Sequence, residues 1–192
     1  MNHKDNLSLF VGRFNPLTTY HMGIIQQMQG HKVIVATKTY GIKDPIHVAS
    51  KMMMLNAAIV KKPRTSMDLL EARDIMEALT LAGHAAAKLE LSNEIILHCG
   101  TDRAVTYQRL NRYTEETGVV INRIVVHDRL DDTHSATHLR SLAVAGQWNE
   151  FQKLCGYATT QHKSMAYNMI RMHHGSLQGQ TISPAIKHIS RI

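Results

Sequence analysis

The sequence predicts an α/β fold: an open sheet of parallel strands with helices on both faces, built as one domain. Three observations carry this. Short apolar runs alternate with stretches of helical periodicity along the chain. The residues richest in chemistry fall directly after those apolar runs, where an open parallel sheet binds ligands. The 192 residues, 44% of them hydrophobic, suffice for one core.

Taken in order, "LSLFV" (7–11) reads as a buried strand. From His21 onward Ile24, Ile25 and Met28 fall at helical spacing, with Gly30 where a C-cap belongs. "KVIVAT" (32–37) is a second strand. Asp44-Pro45 reads as an N-cap with proline in the first turn of a helix marked by Val48, Met52, Leu55 and Ile59 and broken at Pro63. Asp68 and Glu71 have capping-box spacing, so Leu69, Ala72, Ile75, Leu79, Ala82 and Leu89 predict one long amphipathic helix. "EIILHC" is a third strand, "INRIVVH" a fourth, and the stretch around 107–116 between them is helical. Helices are expected near 136–146, 148–155 and 162–173, before a weakly periodic tail.

Composition narrows the function classes. Lys and Arg outnumber Asp and Glu by 22 to 15, a formal charge of +7, which favours an anionic partner without choosing among nucleotide, nucleic acid and acidic surface. Cys99 and Cys155 fit no CxxC pattern, so a disulfide framework or zinc site is not expected, and a reducing compartment is. "MNHKDN" lacks the apolar stretch of a signal peptide, and no apolar run approaches membrane-spanning length, so a cytoplasmic protein without membrane contact is expected.

The ligand class follows from the segments after the strands. Neither a P-loop pattern nor a G-x-G-x-x-G follows the first strand. "SATHLR" offers another phosphate site. If Ser135 caps a helix, its first-turn N–H groups are unpaired and the helix dipole favours an anion there. Thr137 adds a hydroxyl, and Arg140, three residues on, shares its face and can fork onto phosphate oxygens. A plain N-cap with a solvated arginine would explain Ser135 and leave Thr137 and Arg140 to coincidence.

"GRFNPLTTYH" (12–21) together with "SATHLR" (135–140) resembles the nucleotidyltransferase superfamily that carries a (T/H)xGH motif after its first strand and an SxTxxR motif late in the fold, phage-encoded members among them. The likeness covers residues 7–155 and is strengthened by "DPIHVASKMMML", "CGTDR" and "RSLAVAGQWNEFQKL" in their expected places. It implies a Rossmann-like nucleotidyltransferase domain over 1–160, followed by a helical or irregular extension over 161–192. It also implies ATP as substrate, Mg²⁺ as cofactor, and adenylyl transfer onto a small phosphorylated acceptor with release of pyrophosphate. The arginine ending the second motif fits adenylyltransferases better than cytidylyltransferases. Nicotinamide mononucleotide is the first acceptor to test.

By the same resemblance Thr18 and His21 contact the triphosphate, with His21 bracing the transition state and Arg140 completing the catalytic set. Gly12, Arg13, Phe14 and Asn15 wall the place where nucleotide and acceptor meet; Gly100, Asp102 and Arg103 lie beside the nucleoside; Ser135 and Thr137 hold phosphates, with Lys51 as a further phosphate ligand. The chemistry suits these residue types. A phosphomonoester, with a second pKa of about 6, is already largely dianionic at neutral pH, so it needs alignment and charge stabilisation more than a general base.

One position departs from the motif. Tyr20 stands where the family has glycine, and it either blocks the base or stacks on it and alters which base is accepted. The rival reading is therefore a catalytically inactive nucleotide-binding or assembly protein that kept the fold. A third, a nucleic-acid-binding module using basic C-terminal residues (Lys163, Arg171, His173, His174, Lys187, Arg191), is disfavoured against a solvated face or a subunit contact, and homo-oligomerisation stays open. His134 and His138 have helix-pair spacing for a metal but lack a third ligand. The 11 methionines read as core filler.

Overall fold

The computed structural model describes residues 6–59, 66–128 and 131–180, without the side chains of 176–180. Five parallel strands form one sheet in the order β3-β2-β1-β4-β5: β1 (Leu7–Gly12), β2 (His31–Thr37), β3 (Met67–Ala72), β4 (Glu94–Gly100) and β5 (Val120–His127). The chain leaves β1 for β2 and β3, then returns past β1 to β4 and β5. The strand order thus reverses between β1 and β4, and such a switch opens a crevice at the strand C-termini.

Strand periodicity sorts side chains onto two cores. Leu7, Leu9, Val33, Val35, Ile95 and Leu97 pack with α3 (Ile75–Lys88) and with Tyr107 of α4 (Thr101–Tyr107). Phe10, Ile34 and Ala36 pack instead with α1 (Thr19–Gln27), α2 (Val48–Ile59), α6 (Ala136–Val144), α7 (Trp148–Leu154) and α8 (Thr160–Gln180). The short α5 (Thr114–Thr117) leads into β5. Helices therefore cover both faces, as the alternation predicts.

Three local expectations are corrected. Residues 67–72, read as the start of a long helix, are the edge strand β3, and the helix starts only after Asp74, whose side chain accepts from the Glu77 N–H. Leu69, Ala72, Ile75 and Leu79 do repeat at three and four, but Met67–Ala72 pairs with β2 along its length, and that tertiary ladder overrides a local period. Asp44 does not cap α2, which begins at Val48; its backbone instead makes a reciprocal bridge to Gly41. The first helix is capped at Met28, and Gly30 serves the turn beyond it with φ 69. Pro63, the helix breaker, and Lys187 and Arg191 of the tail lie outside the described residues.

The C-terminal elements are stitched onto the first turn. Thr18 and Cys155 form an antiparallel bridge, and the Gly156 N–H donates to the Leu17 carbonyl. A Cβ at Gly156 would lie 2.5 Å from the Thr18 carbonyl oxygen, so only glycine permits this approach. Cys99 and Cys155 are both free and buried. Among the described residues no helix is long and apolar enough to cross a membrane.

Candidate functional site

The crevice between the ends of β1 and β4 is a cleft of about 560 Å³, within the range of small-ligand sites. Eleven of the thirteen residues expected at the site line it: Gly12, Arg13, Phe14, Asn15, His21, Gly100, Asp102, Arg103, Ser135, Thr137 and Arg140. Thr18 and Lys51 do not; both are fully buried.

The β1–α1 turn is built mainly from its own side chains. Phe14 adopts φ 46, a left-handed conformation that costs a non-glycine residue about 1–2 kcal/mol. Burying its ring, 1% exposed, returns up to about 3 kcal/mol. The ring meets Phe10 and His21 edge-on at 5.5 and 5.2 Å. It also fills the space a side chain at position 12 would need, since a Cβ on Gly12 would come within 2.8 Å of it. Asn15 is equally committed: its amide nitrogen donates to the Ile46 carbonyl and its amide oxygen accepts from the Ile46 N–H, both at 3.0 Å. Asn15 therefore walls the cleft with its backbone, and its side chain is a strut to the β2–α2 loop.

Thr18 is the N-cap of α1 and forms a capping box with His21. The Thr18 backbone N–H donates to His21 Nδ1 at 3.2 Å. An acceptor Nδ1 places the proton of the neutral imidazole on Nε2. Thr18 thus fixes the tautomer and ring of His21 from below the cleft.

The opposite wall is the start of α6. Ser135 caps it, accepting from the His138 N–H at 3.0 Å. The first-turn N–H groups lack partners within the helix and favour an anion at the cleft. Arg140 donates to Thr137 Oγ1 at 3.0 Å, the same-face pairing read from the sequence, and to the Asn15 carbonyl at 2.7 Å. Partial burial lowers its pKa and the Asp44 carboxylate opposes that shift. His134 sits in a separate 3-10 turn against Asp131 and not on α6 with His138, so the two do not share a helix face. Among the described residues no group of three His, Cys, Asp or Glu could hold a metal ion.

Tyr20 lines the cleft without crossing it. Its hydroxyl donates to the His127 carbonyl at 2.6 Å, at the end of β5, and lies beside Gly100. A Cβ on Gly100 would come within 3.4 Å of that hydroxyl and 2.8 Å of Asp102 Oδ1. Below it, His98 Nδ1 and His127 Nε2 are 2.9 Å apart. Burial, then the neighbouring His127, lowers the His98 pKa to about 4.

Sequence reasoning missed the wall made by β2 and β3. Thr37, Thr39, Asp44, Arg73 and Asp74 line the cleft there. Thr37, Thr39 and Asp44 lie in "TKTYGIKD", a stretch recognisably rich in chemistry, but Arg73 and Asp74 were hidden inside the supposed helix. The spacing of Asp74 and Glu77 is the signal that could have found them. Of the basic C-terminal residues, Lys163 donates to the Gln152 carbonyl and Arg171 lies over the Tyr167 ring.

No protein-family model matches the chain, and no curated protein matches its sequence. Solved structures do. A Vibrio parahaemolyticus protein assigned as a nicotinate-nucleotide adenylyltransferase superposes with a TM-score of 0.60 at 13% identity, covering 87% of this chain and 96% of that one. The Plasmodium falciparum nicotinic acid mononucleotide adenylyltransferase, solved in complex with APC, gives 0.56 at 10% identity, covering 86% and 97%. At such identities the likeness shows a shared fold, the Rossmann-like sheet of these proteins.

Proposed function

We propose that the cleft transfers a nucleotidyl group, adenylyl first among them, from a nucleoside triphosphate to a small phosphomonoester with release of pyrophosphate. One observation carries this reading: two segments more than a hundred residues apart, the β1–α1 turn and the start of α6, face one cleft with Arg13, His21 and Arg140 and a capped helix N-terminus. That is a set of donors and cations suited to a polyphosphate. Both solved neighbours described above are named as adenylyltransferases of the nicotinate mononucleotide class, which supports an acceptor of that kind, nicotinamide or nicotinate mononucleotide.

In this reading Arg140, Thr137 and the α6 N-terminus take the β- and γ-phosphates. His21, protonated on Nε2, stabilises charge building on the α-phosphate. Arg13 stands between the triphosphate and the acceptor's phosphate. The acceptor lies towards Thr37, Thr39 and Arg73. The transfer is an in-line displacement: an acceptor phosphate oxygen bonds to the α-phosphorus as the bond to the pyrophosphate oxygen breaks, with no proton for the protein to remove.

Magnesium fits this cleft as part of the substrate. Of the lining carboxylates Asp44 pairs loosely with Arg13, Asp102 loosely with Arg103, and Asp74 caps α3, and among the described residues no three His, Cys, Asp or Glu together could hold an ion. An ion that keeps its waters and binds substrate phosphates suits such a site better than a protein cage. When bound, it would offset negative charge on the triphosphate.

The position of Tyr20 against the His127 carbonyl supports a working site over a closed one. Its ring then borders the nucleoside, and Tyr20→Gly should change nucleotide preference without creating binding. Titrating both proteins with ATP, CTP and GTP checks this; a wild type silent to all three, with binding regained in the variant, supports the inactive alternative. The direct test of the function is pyrophosphate release with ATP, Mg²⁺ and a panel of phosphomonoesters. Release that depends on one acceptor is expected, and no release with any acceptor would overturn the assignment.

A further inference from the structure

Lys51 is the one charged residue among the expected ligand contacts that the fold withdraws from solvent entirely, at 0% exposure. Its ammonium donates to the carbonyl of Thr37, the last residue of β2, at 2.5 Å. Two of its three N–H groups remain for other partners. Asp44, 8% exposed, offers a match. Its Oδ2 lies 3.7 Å from an Arg13 nitrogen, a loose ion pair, and its Oδ1 is buried without a hydrogen-bond partner. A buried carboxylate oxygen left unpaired is costly, and Asp44 is the strongest opposite charge acting on the Lys51 ammonium. The loop holding Asp44 is meanwhile fixed on both sides, by the Gly41 bridge and by the Asn15 amide on Ile46.

We propose that Lys51 is a positioning residue that never touches the ligand: it replaces Arg13 as the partner of Asp44, which frees the Arg13 guanidinium for an incoming polyphosphate. This rests on the triphosphate reading of the cleft and adds to it how the free site stores its cation. Without a ligand, Asp44 holds the half-exposed Arg13 in a loose ion pair. When the phosphates draw Arg13 away, the carboxylate is left to the Lys51 ammonium, on which it already acts. No covalent step is involved.

The groups acting on Lys51 give the exchange a pH signature. Burial lowers its pKa to about 8, opposed by Asp44 from the β2–α2 loop and Glu71 from β3, and reinforced by Arg13 from the β1–α1 turn. Arg140 of α6 faces the same Asp44 and Arg13. Once Asp44 is paired with Lys51 and Arg13 has left, the ammonium is better stabilised and its pKa rises. Binding therefore takes up protons above pH 8, and each unit of rise weakens affinity about tenfold at alkaline pH.

The test is calorimetric titration with ATP, without acceptor, at a pH of about 8.5 in two buffers of different ionisation enthalpy. Wild type should show proton uptake, and Lys51→Met should bind ATP without it. Asp44→Asn, which keeps Lys51, should lose most of the uptake. ATP binding with equal uptake in wild type and Lys51→Met overturns the inference alone and leaves Lys51 a structural residue. Full uptake in Asp44→Asn overturns it too, because Lys51 would then answer the ligand's charge directly. If wild type binds no ATP, the triphosphate reading falls and takes the inference with it.

Discussion

The two walls of the cleft use their polar residues in opposite ways. In the β1–α1 turn most of them are spent on the protein: Asn15 on Ile46, Thr18 on the α1 cap and His21, Tyr20 on the His127 carbonyl. At the start of α6 Ser135 is spent as a cap and one Arg140 nitrogen on the Asn15 carbonyl, while the other Arg140 nitrogen and Thr137 hold each other at the cleft surface beside outward N–H groups. A motif's polar residues therefore divide into those bonded within the wall and those that face the open cleft, and residue type does not tell them apart. The turn follows a buried central strand and must satisfy its own groups. The helix start is left with donors that a ligand can satisfy.

His21 is the sharpest test, since it belongs to the building wall yet is assigned a serving role. His21→Ala should lower kcat by roughly 10²–10³ with a much smaller change in KM for ATP, as for a lost transition-state donor. Steady-state kinetics decide it; a variant that loses only thermal stability would place His21 wholly with the builders.

Acid should attack the building side through the histidine pair under Tyr20. His98 has a folded-state pKa near 4 against an ordinary value of 6.5, so the unfolded chain binds more protons between these values. Stability is then complete above about pH 6.5 and falls as pH drops towards 4, by up to roughly 3 kcal/mol. Urea unfolding at about pH 7 and about pH 5 measures the loss, and His98→Phe should flatten it.

Exchanging one residue from each wall separates the classes directly. Arg140→Ala should weaken ATP binding by about 1.5–3 kcal/mol, the value of a charge-assisted contact, while the fold survives. Asn15→Ala should instead destabilise the protein by about 1–3 kcal/mol, leaving the Ile46 N–H and carbonyl unpaired. Calorimetry with ATP beside thermal melts tests both, and unchanged ATP affinity in Arg140→Ala would remove that residue from the site.

The smallest effect is expected at Tyr20→Phe, which removes the hydroxyl that donates to the His127 carbonyl. A cost of about 0.5–1.5 kcal/mol in stability, with nucleotide preference unchanged, would fit a ring that borders the nucleoside while its hydroxyl serves the wall.

The sequence by itself determined the parallel α/β architecture, because buried central strands such as Leu7–Gly12 and His31–Thr37 are legible as apolar runs whatever lies beside them. It also determined the Ser135 cap and the Thr137–Arg140 pairing, because a helix fixes neighbours three residues apart through its own geometry. Eleven of the residues that the family resemblance implied line the cleft, its motifs falling at strand ends and helix starts.

Tertiary structure alone decided the rest. Met67–Ala72 became a strand only because β2 offered it a ladder, and with that came the Arg73–Asp74 wall. Lys51 is a lysine like any other in the sequence, and only the packing of α2 beneath β2 takes it out of water and onto the Thr37 carbonyl. Asn15 reads as a ligand residue until Ile46, thirty-one positions away, claims both ends of its amide. Local periodicity carries information over a few residues. Burial and hydrogen-bond partnership depend on which distant segments meet, and these divide the polar residues of this cleft between the protein and its ligand.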